Sequence, residues 1–266
     1  MSILNILISN QLRKGEIFLF DSPLLAAVMG LGVGGIGIGI GGLVAYGFGR
    51  YCEKVMGILL ACLAGVIFAL LGLELLPESI AAGGLTSTGF GIFLGILLIL
   101  RVEHLFHKVV IITDNPRRSL FIRSGILLAF GVAIHNFPVG FAMGSGLINE
   151  EKIGMDLAIT MLLHNFPEGF AISLPLVLGG LSWMVIPVTA GIVAIPAGLG
   201  SFIGSSLGMI NPKLLGLLFG VAIGTIFLVT WYEILGHAIN HTRRILLFPS
   251  IIAGLLVGIL FIHLVM

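Results

Sequence analysis

Two histidines head copies of one eight-residue pattern, and the copies begin 29 positions apart. Residues 135–142 read His-Asn-Phe-Pro-Val-Gly-Phe-Ala and residues 164–171 read His-Asn-Phe-Pro-Glu-Gly-Phe-Ala, inside stretches that are otherwise almost wholly apolar. An imidazole in an apolar medium needs a partner for each ring nitrogen, and a carboxylate costs more still, so such side chains face a cavity or a ligand. Glu168 follows His164 by four positions, which on a helix stacks the carboxylate and the imidazole on one face. With His135 arriving from a neighbouring helix and the amide oxygens of Asn136 and Asn165 close by, the donors form a borderline set. That set suits Zn²⁺ and also accepts Fe²⁺, Mn²⁺ or Cd²⁺. A single intramembrane histidine is commonly just an interhelical hydrogen bond; two matched copies argue for one shared site. Pro138 and Pro167 remove the donors that the carbonyls of Ile134 and Leu163 would meet in a regular helix, so kinks are expected beside both histidines.

The medium follows from composition. Of 266 residues, 58% are hydrophobic and 9% charged, against about 25% charged in soluble domains. Mean hydropathy is +1.19. No soluble fold covers such a surface, so residues 1–266 read as one integral membrane domain, and a net charge of +1 argues against a nucleic-acid surface. Cys52 and Cys62 are ten residues apart on one expected helix, about 15 Å along its axis, too far for a disulfide.

Spanning hydrocarbon as a helix takes about 20 mainly apolar residues. The chain offers eight such stretches, near 24–49, 54–77, 86–108, 120–147, 152–178, 184–208, 213–238 and 246–265. The expected fold is therefore an all-α polytopic membrane bundle of about eight transmembrane helices. Residues 1–23 form an interfacial lead-in, since Arg13 and Lys14 follow the first short apolar run instead of preceding it as in a cleaved signal. Basic residues set the orientation, because cytoplasmic loops carry an excess of Lys and Arg. With both termini outside, Arg50, Lys54, Arg101, Lys108, Arg117, Arg118, Arg123, Arg243 and Arg244 fall inside. Arg13, Lys14, Lys152 and Lys213 fall outside, which accounts for all 13. The main cytoplasmic loop is then 109–119. Spans four and five, joined by a short turn near 149–152, run antiparallel, and each octet histidine lies near the midpoint of its span.

Of the 39 glycines, eight are concentrated in residues 30–42 of the first span. Residues 32–37 match G-x-G-x-x-G in form, but no preceding strand or βαβ unit supports a nucleotide fingerprint. Close approach between membrane helices explains them.

The doubled octet resembles the signature of the ZIP (Zrt/Irt-like) family of divalent-metal transporters, whose fourth and fifth helices carry HNxPEG-like motifs. Residues 32–45 resemble that family's glycine-rich first helix, residues 65–78 its second helix with a Leu-Leu-Pro-Glu ending, and residues 220–235 its seventh. The resemblance implies a cell-membrane transporter rather than an enzyme. Its metal-site lining would be His135, Asn136, His164, Asn165 and Glu168. The partners would be the bilayer and a divalent metal, zinc foremost, carried as substrate with no tightly bound cofactor. A homodimer is compatible with that reading. Two departures bear on stoichiometry: Val139 and Ile195 stand where relatives often carry carboxylates for a second metal. One metal, at a site of net charge near +1, is therefore expected. By the same resemblance Glu74 sits at the entrance, with interfacial anchoring as the alternative, while Glu233, toward the inner end of span seven, is a candidate for the exit with Tyr232 and His237. His104 and His107 could gather departing metal, although snorkelling at the interface accounts for them as well. Two competing readings are a bis-histidine haem protein for electron transfer, which leaves Glu168 idle, and an intramembrane metallohydrolase, which lacks H-E-x-x-H.

Overall fold

The computed structural model describes residues 22–49, 56–108, 115–149, 151–208 and 211–265. Residues 1–21 of the lead-in, residues 109–114 of the expected cytoplasmic loop, and Arg50, Cys52 and Lys54 lie outside the described residues.

The described chain is all helix and turn. It comprises α1 (Pro23–Gly49), α2 (Met56–Leu70), α3 (Leu76–Lys108), α4 (Pro116–Asn149), α5 (Glu151–Leu178), α6 (Val185–Leu207), α7 (Pro212–Val229), α8 (Gly236–His241) and α9 (Arg244–Val265). Two π-helical turns interrupt this order: Leu71–Leu75 joins α2 to α3, and Thr230–Leu235 joins α7 to α8. Among the described residues seven helices are long and apolar enough to cross a membrane, so the protein is an integral multi-pass membrane protein. One of the seven, Gly57–Val102, runs through 46 residues, about 70 Å if straight against roughly 30 Å of hydrocarbon. It is not straight. Gly84 adopts φ 78 and ψ 165, a conformation essentially reserved for glycine, and divides it into two arms. Elsewhere the helix ends follow local chemistry, as where Pro212 opens α7 behind Asn211, whose side chain accepts a hydrogen bond from the Lys213 N–H at 2.9 Å.

Packing divides the helices into two groups. In the first, α1 lies on α5 and α6, and α4 on both α5 and α6; in the second, α3 lies on α7, and α2 on α9 and α8. The main seam between the groups runs along α4 and α7. Small residues hold the first group together. On α1 the buried stripe is Ala26, Gly30, Gly34, Gly37, Gly41 and Ala45, with Ile38 as its one large member there, whereas Leu24, Val28, Ile36, Ile40 and Leu43 are exposed to lipid. Lipid is as apolar as leucine, so burying leucine gains little and close backbone approach decides the contact. A Cβ on Gly30 would stand 2.8 Å from the Ala197 carbonyl oxygen, and one on Gly37 2.7 Å from the Asn165 Cβ. The glycine cluster thus bears directly on the helix that carries the second octet.

Candidate metal site

Helix α4 supplies His135 and Asn136, and α5 supplies His164, Asn165 and Glu168; all five are buried. Both helices continue through their prolines, Pro138 and Pro167, without a break. The imidazoles face each other with ring centroids 5.4 Å apart. Glu168 lies between them, its Oε1 3.3 Å from His164 Nε2 and 3.8 Å from His135 Nε2. One ligand atom from each of the three residues falls within 4.8 Å of the others. Zinc–ligand bonds of about 2.0–2.2 Å in a tetrahedron place donors roughly 3.3–3.5 Å apart, so the three need to close by about 1.5 Å at most. The donors also have spare capacity: Glu168 Oε2, His135 Nδ1 and both amide atoms of Asn165 are buried without a protein partner. Interiors seldom leave such atoms unsatisfied, and a cation with its residual water would take up the oxygens.

A second carboxylate completes the centre. Glu74, 8% exposed, projects from the Leu71–Leu75 π-turn, and both its oxygens accept from His164 Nδ1 at 3.2 Å. With Nδ1–H held by Glu74, His164 Nε2 is left as the lone-pair donor on the side of Glu168 and His135. That is the carboxylate–histidine–metal arrangement that fixes the tautomer and orientation of a ligating ring. The octets alone offered one acid, and the structure places two within reach of the same ring. With Glu168 facing a dication and Glu74 behind His164, the net charge of the centre would be near zero instead of +1.

The two asparagines part company. Asn165 opens onto a cavity it shares with Glu74, Glu78, His135, Val139, Thr160 and Met161. Asn136 donates through Nδ2 to the Val193 carbonyl of α6 at 3.1 Å, with its Oδ1 buried and without a protein partner. The cavity beyond Asn165 lies toward the α4–α5 connection. Glu78 is exposed and lines its rim. On the opposite side of His164 and Glu168 the space is closed by apolar residues, among them Ile67, Leu70, Leu71, Leu128, Val132 and Ile226. Val139 faces the cavity, but Ile195 is 50% exposed on the outer surface of α6.

The remaining candidates lie elsewhere. Glu233 projects from the Thr230–Leu235 π-turn and pairs with Arg123 and Ser124 of α4. His237 hydrogen-bonds the Glu233 carbonyl through Nδ1 and packs on Phe121, while Tyr232 points outward and is exposed. His104 is exposed near the end of α3, and the His107 side chain lies outside the described residues. Cys62 is a half-buried free thiol in α2.

A multi-pass helical bundle that gathers two histidines and two carboxylates at mid-helix, where charge is most costly, has the build of a membrane protein that handles cations. The chain belongs to the ZIP zinc transporter family, whose sequence model matches residues 113–266. The zinc transporter ZupT of Corynebacterium glutamicum is 32% identical over 245 residues, which cover 84% of this chain and 92% of that protein. ZupT of Chlorobium chlorochromatii is 28% identical over 259 residues, covering 89% of this chain and 96% of its own length. The zinc transporter ZTP29 of Arabidopsis thaliana is 29% identical over 246 residues, covering 84% of this chain and 88% of its own.

Proposed function

We propose that this protein carries divalent transition-metal ions, zinc foremost, across the membrane as a transporter and not an enzyme. The observation that carries the reading is the convergence of His135 Nε2, His164 Nε2 and Glu168 Oε1 at mid-helix in a chain of this family. In this reading the three are ligands, Asn165 adds a neutral oxygen, and Glu74 orients His164 from behind. The metal is cargo, one ion per protomer, bound by donors that only partly surround it so that it can leave. The same geometry weighs against a bis-histidine haem, because Glu168 occupies the plane between the rings that a macrocycle would need.

Counting the arms on either side of Gly84 separately gives eight crossings with both termini outside. The cavity lined by Glu74, Glu78 and Thr160 then faces outward and supplies the entrance, while the Leu128–Val132–Ile226 closure lies on the cytoplasmic side. Transport follows from sliding the first helix group, with its bound metal, against the second along the α4–α7 seam. Glu233 belongs to the second group and would meet the metal on the inner side. The test is uptake of several divalent ions into proteoliposomes. Native protein should accumulate zinc and His164→Ala should not; equal uptake by both overturns the site.

A further inference from the structure

About three turns along α4 from His135, roughly 16 Å at 1.5 Å per residue, a second polar contact joins the two helix groups. Arg123 Nη2 lies 3.4 Å from Glu233 Oε1, and Ser124 Oγ donates to Glu233 Oε2 at 2.7 Å. Both charged side chains are largely buried, at 14% and 12% exposed. Arg123 and Ser124 belong to the group that carries the metal site, and Glu233 to the group it would slide against.

We infer that Arg123, Ser124 and Glu233 form a latch between the two helix groups that holds the cytoplasmic side shut while the site is open toward the α4–α5 connection. Its position is the first reason. Leu128 and Val132 lie between Arg123 and His135 on α4, and with Ile226 they close the space beneath the site, so the latch sits at the far edge of that closure. The carrier of the carboxylate is the second. Glu233, like Glu74, stands on a π-turn, an insertion that re-aims a side chain off the regular helix face and recurs at functional sites. Charge is the third: a guanidinium below an apolar closure repels a dication that reaches it, so the latched state opposes leakage as well as movement. Sliding α4 past α7 must part Arg123 and Ser124 from Glu233, which leaves a bare carboxylate on the cytoplasmic side at the moment the site arrives there.

The inference rests on the sliding-group reading above, and the experiment separates the two. Reporter cysteines are introduced one at a time into protein lacking Cys52 and Cys62: Thr160→Cys on the open cavity, and Leu128→Cys in the apolar closure. Labelling by a membrane-impermeant thiol reagent is measured in nanodiscs with and without Zn²⁺. Losing a charge-assisted hydrogen bond shifts a two-state ratio by about 10–100-fold. Arg123→Gln and the milder Ser124→Ala should therefore raise labelling at position 128 and lower it at 160, while Arg123→Lys, which keeps the charge, should restore much of the native pattern. If the native reporters respond to Zn²⁺ but the latch variants label as native protein does, the latch is refuted and sliding survives. If the native reporters never respond, sliding fails and the latch falls with it.

Discussion

Glu74 lends itself to a graded test because its two contributions can be removed one at a time. Its carboxylate accepts His164 Nδ1–H through both oxygens at 3.2 Å, and it brings the second negative charge to the site. Glu74→Gln keeps a carbonyl oxygen for the Nδ1–H and removes the charge. Glu74→Leu removes both and strands a buried donor, a loss of about 1–3 kcal/mol by itself. Carboxylates in this position behind a ligating histidine are typically worth about 10–100-fold in metal affinity, or roughly 1.4–2.8 kcal/mol. We therefore expect Zn²⁺ binding by titration calorimetry in nanodiscs to weaken by about 10-fold in Glu74→Gln and about 100-fold in Glu74→Leu. Glu168→Gln, which takes away a direct ligand, should fall further, by the 3–5 kcal/mol typical of breaking a buried charge pair. Two results would refute the reasoning. Native affinity in Glu74→Gln would mean that the charge is not felt, and a loss equal to that of Glu168→Gln would make Glu74 a direct ligand instead of an orienting group.

Single replacements His135→Ala, His164→Ala and Glu168→Ala should each abolish zinc uptake into proteoliposomes with the protein still folded, whereas Cys62→Ala should transport normally; native rates in all three would dissolve the site. Asn136→Ala removes the amide donor to the Val193 carbonyl and should lower stability by about 1–3 kcal/mol in thermal unfolding, with the zinc affinity of the folded protein changed less than a few-fold. Val139→Glu points a new carboxylate at the cavity and should tighten zinc binding or add a second equivalent by calorimetry. Ile195→Glu faces lipid and should impair membrane insertion without adding one. A cysteine at Asn115 should label only from the cytoplasm and one at Glu151 only from outside, and the reverse pattern would invert every sidedness assignment made above.

Much of this molecule was legible in the chain because its strongest signals are periodic and local. Apolar runs of about 20 residues separated by polar breaks mark out most of the helices, although the runs expected at 54–77 and 86–108 fall within one long apolar stretch, Gly57–Val102, and the i, i+4 spacing of His164 and Glu168 places both on one face before any fold is known. Glycine content likewise announces close packing, and α1 buries a stripe of small residues as that reading requires. The asparagines were not legible. The octets give Asn136 and Asn165 identical neighbours in sequence, so the difference between them lies wholly in tertiary surroundings. Asn136 meets the backbone of α6, and Asn165 meets Gly37 of α1 and an open cavity. Ile195 shows the same gap, since a family position says nothing of which way the helix has turned.

The π-turns were equally hidden, because one extra residue in a helical turn leaves no mark on composition or hydropathy. Yet they carry Glu74 and Glu233, the two carboxylates through which the second helix group reaches the first. Each reaches a different kind of partner: Glu74 meets His164 of the metal site, and Glu233 meets the permanent cation Arg123 with Ser124. A metal that draws electron density from His164 strengthens the Nδ1–H bond to Glu74, so loading is felt at the upper contact, whereas the lower contact has no such dependence on the cargo. Movement of a loaded site must therefore overcome a strengthened upper contact together with the latch, and movement of an empty one a weaker upper contact together with the same latch. That asymmetry predicts that empty protein exchanges between its two states faster than zinc-bound protein, as the rate of Leu128→Cys labelling with and without Zn²⁺ would reveal; identical rates would show that Glu74 does not couple loading to movement.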